Sequence, residues 1–77
     1  MNQTQIEQRL KSAFPEAQVR VMDLTGGEDH WQVELVSLEL AGLPKVDQHK
    51  KVMAVFSDEL RTGEVHALSI KVLRPSI

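Results

Sequence analysis

The stretch EVHALSIKVL, residues 64–73, decides the fold. Leu68, Ile70 and Val72 alternate with the period of a strand that turns one face toward a core. Pro75 ends the run, because proline cannot donate to a sheet ladder. His66 shares the parity of that row, so an imidazole stands where another aliphatic is expected. Just upstream, Gly63 is placed as a helix C-terminal cap. Before it, Val46, His49, Val52, Met53, Phe56 and Leu60 mark the buried face of a single helix that starts after Gly42 and Pro44. A strand reached through a helix implies an earlier parallel strand and a right-handed crossover.

That earlier strand is HWQVELVS, residues 30–37, with Trp31, Val33 and Leu35 on one side and Gln32 and Glu34 on the other. TGGED, residues 25–29, supplies turn chemistry ahead of it. Ala17 to Leu24 forms the other arm of a hairpin, with Val19 and Val21 opposite Arg20. The chain opens on a helix. Thr4 and Glu7 have capping-box spacing, Ile6, Leu10, Ala13 and Phe14 form one apolar stripe, and Pro15 is the stop. The order α-β-β-α-β predicts an α+β two-layer sandwich, a three-stranded mixed sheet with helices on one face, as one domain over residues 1–77. Parallel second and third strands start at the same sheet edge, which brings His30 and His66 to that edge. Trp31, not His30, has core parity, whereas His66 does, so the two rings are set to lean to different faces unless the strand ends twist.

Composition limits the function classes. A chain of 77 residues is one small domain with a thin core. It has no cysteine, so no disulfide and no thiolate ligand or nucleophile comes from it. No apolar run reaches the ~18 residues of a membrane span, and residues 1–11 lack a signal-peptide centre. A soluble cytoplasmic protein is expected. Nine Lys/Arg against eleven Asp/Glu give a net charge of −2, which argues against binding driven by bulk basic charge. No catalytic spacing or phosphate loop is present, so an enzyme is not expected.

Three segments, in order and at matching spacing, resemble the BolA family: HWQVELVS, LAGLPKVDQHKKV and EVHALSI. The resemblance covers residues 6–75. The family often sets Arg on both sides of the helix histidine, whereas Gln48 and Lys50 flank His49 here. An aromatic is common at the place of Met53, and the acid-Trp pair after Pro75 is absent. The short Gly26-Gly27 loop without Cys is similar to the acidic, short-loop branch.

The resemblance implies a fold similar to class II KH domains. It implies partnership with a monothiol glutaredoxin and a shared two-iron two-sulfur cluster, with His66 as the ligand by motif match. Some members are described as DNA-binding transcription regulators. The donor chemistry is compatible with sharing. Clusters are usually held by thiolates, but histidine replaces cysteine on one iron in Rieske centres. The three histidines here, His30, His49 and His66, form no local metal motif. The isolated chain is therefore expected to carry no cofactor, and the remaining ligands would come from a glutaredoxin cysteine and glutathione.

Each candidate has a plainer reading. For His66 it is a partly buried ring bonded to a nearby loop. His30 is a second-ligand candidate or an exposed strand-start residue. His49 is expected at the core edge with a satisfied ring nitrogen. Lys45, Lys50, Lys51 and Lys71, with His49, are candidates for contact with nucleic acid or an acidic partner, or else a solvated face. GLPK, residues 42–45, is not the GXXG clamp of KH domains. Alone, the chain is expected to be a monomer or a weak homodimer.

Overall fold

Asn2 and Gln5 start the first helix. The Asn2 carboxamide accepts from the Gln5 N–H and the Gln5 side chain accepts from the Asn2 N–H, both at 2.9 Å. This capping box lies two residues before the expected Thr4–Glu7 pair, and Thr4 is an exposed position within the helix. The computed structural model describes residues 1–76; Ile77, the last residue of the expected domain, lies outside them. The elements are α1 (Gln3–Ala13), β1 (Gln18–Asp23), β2 (His30–Val36), α2 (Leu38–Ala41), α3 (Lys45–Val55), α4 (Ser57–Thr62) and β3 (Ala67–Leu73).

The sheet order is β1-β2-β3. β1 and β2 are antiparallel, with Val21 opposite Val33 and Asp23 opposite Trp31. β2 and β3 are parallel, with His30 opposite Ala67 and Trp31 opposite Leu68. The expected two-layer architecture is present. Ile6 and Leu10 of α1 and Val52 and Phe56 around α3 pack with Val21, Trp31, Val33 and Leu35 of the sheet into one buried cluster. No helix among the described residues is long and apolar enough to cross a membrane.

Three local expectations are corrected. Ser37 is not strand. It is fully buried and caps α2, accepting from the Leu40 N–H at 3.0 Å while donating to the Glu16 carboxylate at 2.8 Å. The single long helix is broken at Phe56, which turns to φ −115° as its ring enters the core. The inward stripe of α3 is also rotated. Val46 and His49 are exposed, and Gln48 takes the place one turn before Val52. Its carboxamide donates to the carbonyls of Leu40 and Leu43 at 2.9 and 3.0 Å, satisfying the loop that joins α2 to α3.

Arg9 ties the helices together. Its guanidinium donates to Val55 O at 2.6 Å and to both oxygens of Glu59 at 3.1 and 2.8 Å, and stacks 5.6 Å from the Phe56 ring. The Arg9 contact holds the Glu59 carboxyl below the usual glutamate range. Arg9→Ala is expected to cost about 1–3 kcal/mol, since it leaves a mostly buried carboxylate without its charged partner. A carboxyl lowered by folding contributes stability above its unfolded titration range and loses it as pH falls through the lowered value. Urea titrations from neutral to acid pH should therefore show the wild-type advantage over Arg9→Ala shrinking on the acid side.

Candidate functional site

The parallel pairing of β2 with β3 places their N-terminal ends together at one edge of the sheet. His30 opens β2, and His66 immediately precedes β3. Their rings meet edge to face with centroids 5.8 Å apart. The expected juxtaposition is therefore present, but the parity argument for His66 is corrected. The regular strand begins at Ala67, and Val65, buried to 1 % exposure, fills the core position at that end. His66 is free of the core-facing row, and its side chain is 59 % exposed. This also removes the expected conflict of faces, because residue 66 is not bound by the strand's alternation.

Asp29 links the two rings. Its Oδ1 is 3.1 Å from His30 Nδ1 and its Oδ2 is 3.7 Å from His66 Nδ1. The first contact is close but bent, so His30 Nδ1 is buried without a well-aligned hydrogen bond. The backbone carbonyl of Asp29 accepts from His66 N at 2.8 Å and from Ala67 N at 3.3 Å. The neighbouring His30 ring, followed by the Thr25 hydroxyl, draws the Asp29 carboxyl below the ordinary aspartate range.

The loop that carries Asp29 is built by hydrogen bonds. The Asp23 carboxylate accepts from the N–H groups of Thr25, Gly26 and Glu28 at 3.2, 2.9 and 3.1 Å. Thr25 Oγ1 donates to Asp29 Oδ1 at 2.9 Å. Gly26 and Glu28 take positive φ, +79° and +59°, and the Trp31 indole N–H holds the loop from the core by donating to Glu28 O at 3.2 Å. Asp23 and Asp29 escaped the sequence reading. An acidic residue beside turn glycines looks like ordinary loop polarity, and only its placement next to His30 hinted otherwise.

Gly63 completes the edge. It caps α4 at φ +86°, and a Cβ there would lie 3.9 Å from the Nε2 side of His66. Gly63→Ala is expected to cost about 1–2 kcal/mol from the left-handed backbone alone, without a clash on the imidazole. Thermal unfolding should show the loss while the His66 ring resonances stay close to wild type.

The other candidates lie elsewhere. Lys45, His49 and Lys71 line a cleft of about 240 Å3 with Gln48, Ile70 and Val72, between the start of α3 and β3. Lys50 and Lys51 are exposed on α3 and do not line it. His49 is thus a cleft residue and not the core-edge histidine expected, because Gln48 occupies the inward position. A wider concavity of about 430 Å3 includes Gln5, Gln8, Arg9, Ser12 and Glu59, but no histidine lines it. Its Arg9 and Glu59 are already paired with each other. No group of three or more His, Cys, Asp or Glu side chains among the described residues is arranged to hold a metal ion.

The family model described as "BolA-like protein" matches residues 3–76. Protein BOLA2 of Arabidopsis thaliana is 35% identical over 68 residues, covering 87% of this chain and 71% of its own. An uncharacterized protein of Haemophilus influenzae is 38% identical over 71 residues, covering 92% and 80%. Among solved structures, the BolA domain of SufE1 from Arabidopsis thaliana superposes with a TM-score of 0.83 at 26% identity, covering 97% of this chain and 95% of that one. Yeast Fra2 gives 0.77 at 26% identity, covering 96% and 80%. The match spans the sheet, the hairpin loop and the histidine-bearing start of β3, and the chain belongs to the BolA-like protein family.

Proposed function

We propose that this chain is a binding module that partners a monothiol glutaredoxin and shares a two-iron two-sulfur cluster with it at the heteromer interface, in cluster trafficking or iron and redox regulation. The observation that carries the reading is the pair of imidazoles at one exposed sheet edge, in a chain with no thiolate of its own. Two nitrogens cannot complete a cluster, but they suit half of a divided site. His66 would be one ligand and His30 the second-ligand candidate, with glutaredoxin and glutathione thiolates supplying the rest. The cluster would bring iron–sulfur electron-transfer and cargo chemistry. This chain would contribute imidazole donors, their orientation, and a polar rim from the 24–29 loop. Exposed Leu24, whose N–H donates to His30 O at 3.0 Å, adds apolar surface for a partner at the same edge. Membership of the family that contains BOLA2 supports the reading.

The test is anaerobic mixing with a monothiol glutaredoxin, glutathione, iron and sulfide, followed by visible absorption and circular dichroism. A spectrum distinct from that of the glutaredoxin alone is expected. A spectrum identical to the sum of the separate proteins would count against the partnership.

A second reading is a KH-like nucleic-acid-binding regulator. It is favoured by one observation, the convergence of Lys45, His49 and Lys71 at a single cleft. Phosphate-driven binding there would weaken steeply with salt. Affinity independent of salt would exclude it.

A further inference from the structure

Asp29 stands next to both rings at the shared edge. It reaches them through two kinds of contact: the carboxylate faces the imidazoles, and the backbone carbonyl accepts from the amides that begin β3. It is also fixed from its own side, by Thr25 Oγ1 on Oδ1 and by the Asp23-centred loop. The ring atom nearest the carboxylate is Nδ1 in both histidines, at 3.1 Å in a bent contact for His30 and at 3.7 Å, beyond hydrogen-bond length, for His66. Its pull on each Nδ1–H is therefore electrostatic and closes to a hydrogen bond only with a small turn of the ring.

An imidazole that ligates a metal through one nitrogen commonly donates its other N–H to a carboxylate, which fixes the tautomer and makes the ligating nitrogen more basic. We propose that Asp29 is the positioning residue of this pair: its carboxylate holds both His30 and His66 as Nδ1–H tautomers and leaves Nε2 of each ring as the lone-pair donor toward a metal brought by the partner. The proposal rests on the ligand reading above and adds to it which nitrogen ligates and what selects it. One acidic side chain then couples the two donors, so that a change at Asp29 acts on both at once.

The rival role for Asp29 is purely mechanical, a staple that shapes the loop through Thr25 and the β3 amides. Two variants separate them. Asp29→Asn keeps an oxygen for Thr25 and nearly the same size but loses the charge. Asp29→Ala loses both side-chain functions and keeps the backbone carbonyl.

The first readout needs no cluster. Long-range proton–nitrogen NMR of the free chain, at a pH where both rings are neutral, reports the tautomer of each histidine. The wild type should show Nδ1–H at His30 and His66. Asp29→Ala should return both toward the Nε2–H form that free histidine favours, with Asp29→Asn between. Unchanged tautomers in Asp29→Ala, with only the loop resonances moved, would overturn the proposal and leave the staple.

The second readout uses the complex with a monothiol glutaredoxin and glutathione. Asp29→Asn should weaken cluster retention by about tenfold or more, the usual effect of losing a carboxylate behind a ligating histidine. It should also raise the reduction potential, because the imidazoles become poorer donors beside a neutral group. Retention and potential equal to wild type would overturn the proposal. Should the wild type take up no shared cluster, the ligand reading fails, and the tautomer measurement still decides what Asp29 does to the rings.

Discussion

Replacing His66 with alanine is expected to leave the domain folded and to abolish stable cluster sharing with a glutaredoxin. The two halves of that expectation have separate physical grounds. The His66 side chain is 59 % exposed, and Val65 fills the adjoining core position. Surface substitutions of this kind usually change stability by no more than about 0.5 kcal/mol. The backbone bond from His66 N to Asp29 O survives the substitution. What is removed is the imidazole, and this chain has no thiolate to replace it. Thermal unfolding within a few degrees of wild type, with loss of the shared-cluster spectrum, would meet the expectation. A complex that holds its cluster equally well would remove His66 from the site. His30→Ala gives the graded comparison: a partial loss if His30 is the second ligand, and none if it only packs against His66.

Trp31→Ala is expected to have the largest effect on stability. Trp31 is 1 % exposed at the centre of the sheet, between Asp23 of β1 and Leu68 of β3. Truncating a buried aromatic costs about 3–5 kcal/mol. A domain of 77 residues has only about 4–12 kcal/mol in total, at roughly 0.05–0.15 kcal/mol per residue. The variant should therefore be largely or wholly unfolded by far-ultraviolet circular dichroism at 37 °C, a temperature chosen for the test. Trp31→Phe separates packing from hydrogen bonding. It keeps most of the apolar volume but loses the indole N–H on Glu28 O, so a folded domain with a looser 24–29 loop is expected. Amide exchange of Gly26 to Asp29 would show that loosening. A Trp31→Ala variant as stable as wild type would mean that the core is not organised around this side chain.

The architecture was legible because its signals are local and agree with one another. Gly63 and Pro15 terminate helices where expected, and the alternation in residues 67–73 and 30–36 is that of strands with one buried face. The meeting of His30 and His66 followed from topology alone, since a helical crossover makes the strands parallel and aligns their starts. The rotation of α3 was not legible. Apolar residues are sparse there, and Val46, His49 and Met53 form as regular a series as Gln48, Val52 and Phe56. Which series turns inward is set by the carbonyls of Leu40 and Leu43, and these need the Gln48 carboxamide. Asp29 was hidden for a similar reason. Its significance comes from a residue 37 positions away, by a contact that no spacing rule encodes.

The measurement that tests shared ligation most directly is hyperfine spectroscopy of the reduced complex formed with a monothiol glutaredoxin and glutathione, with nitrogen-15 placed only in the histidines of this chain. A strongly coupled nitrogen-15 signal that vanishes with His66→Ala is the expected result. A cluster that forms in the complex but shows no coupling to any histidine nitrogen of this chain would contradict the proposed site.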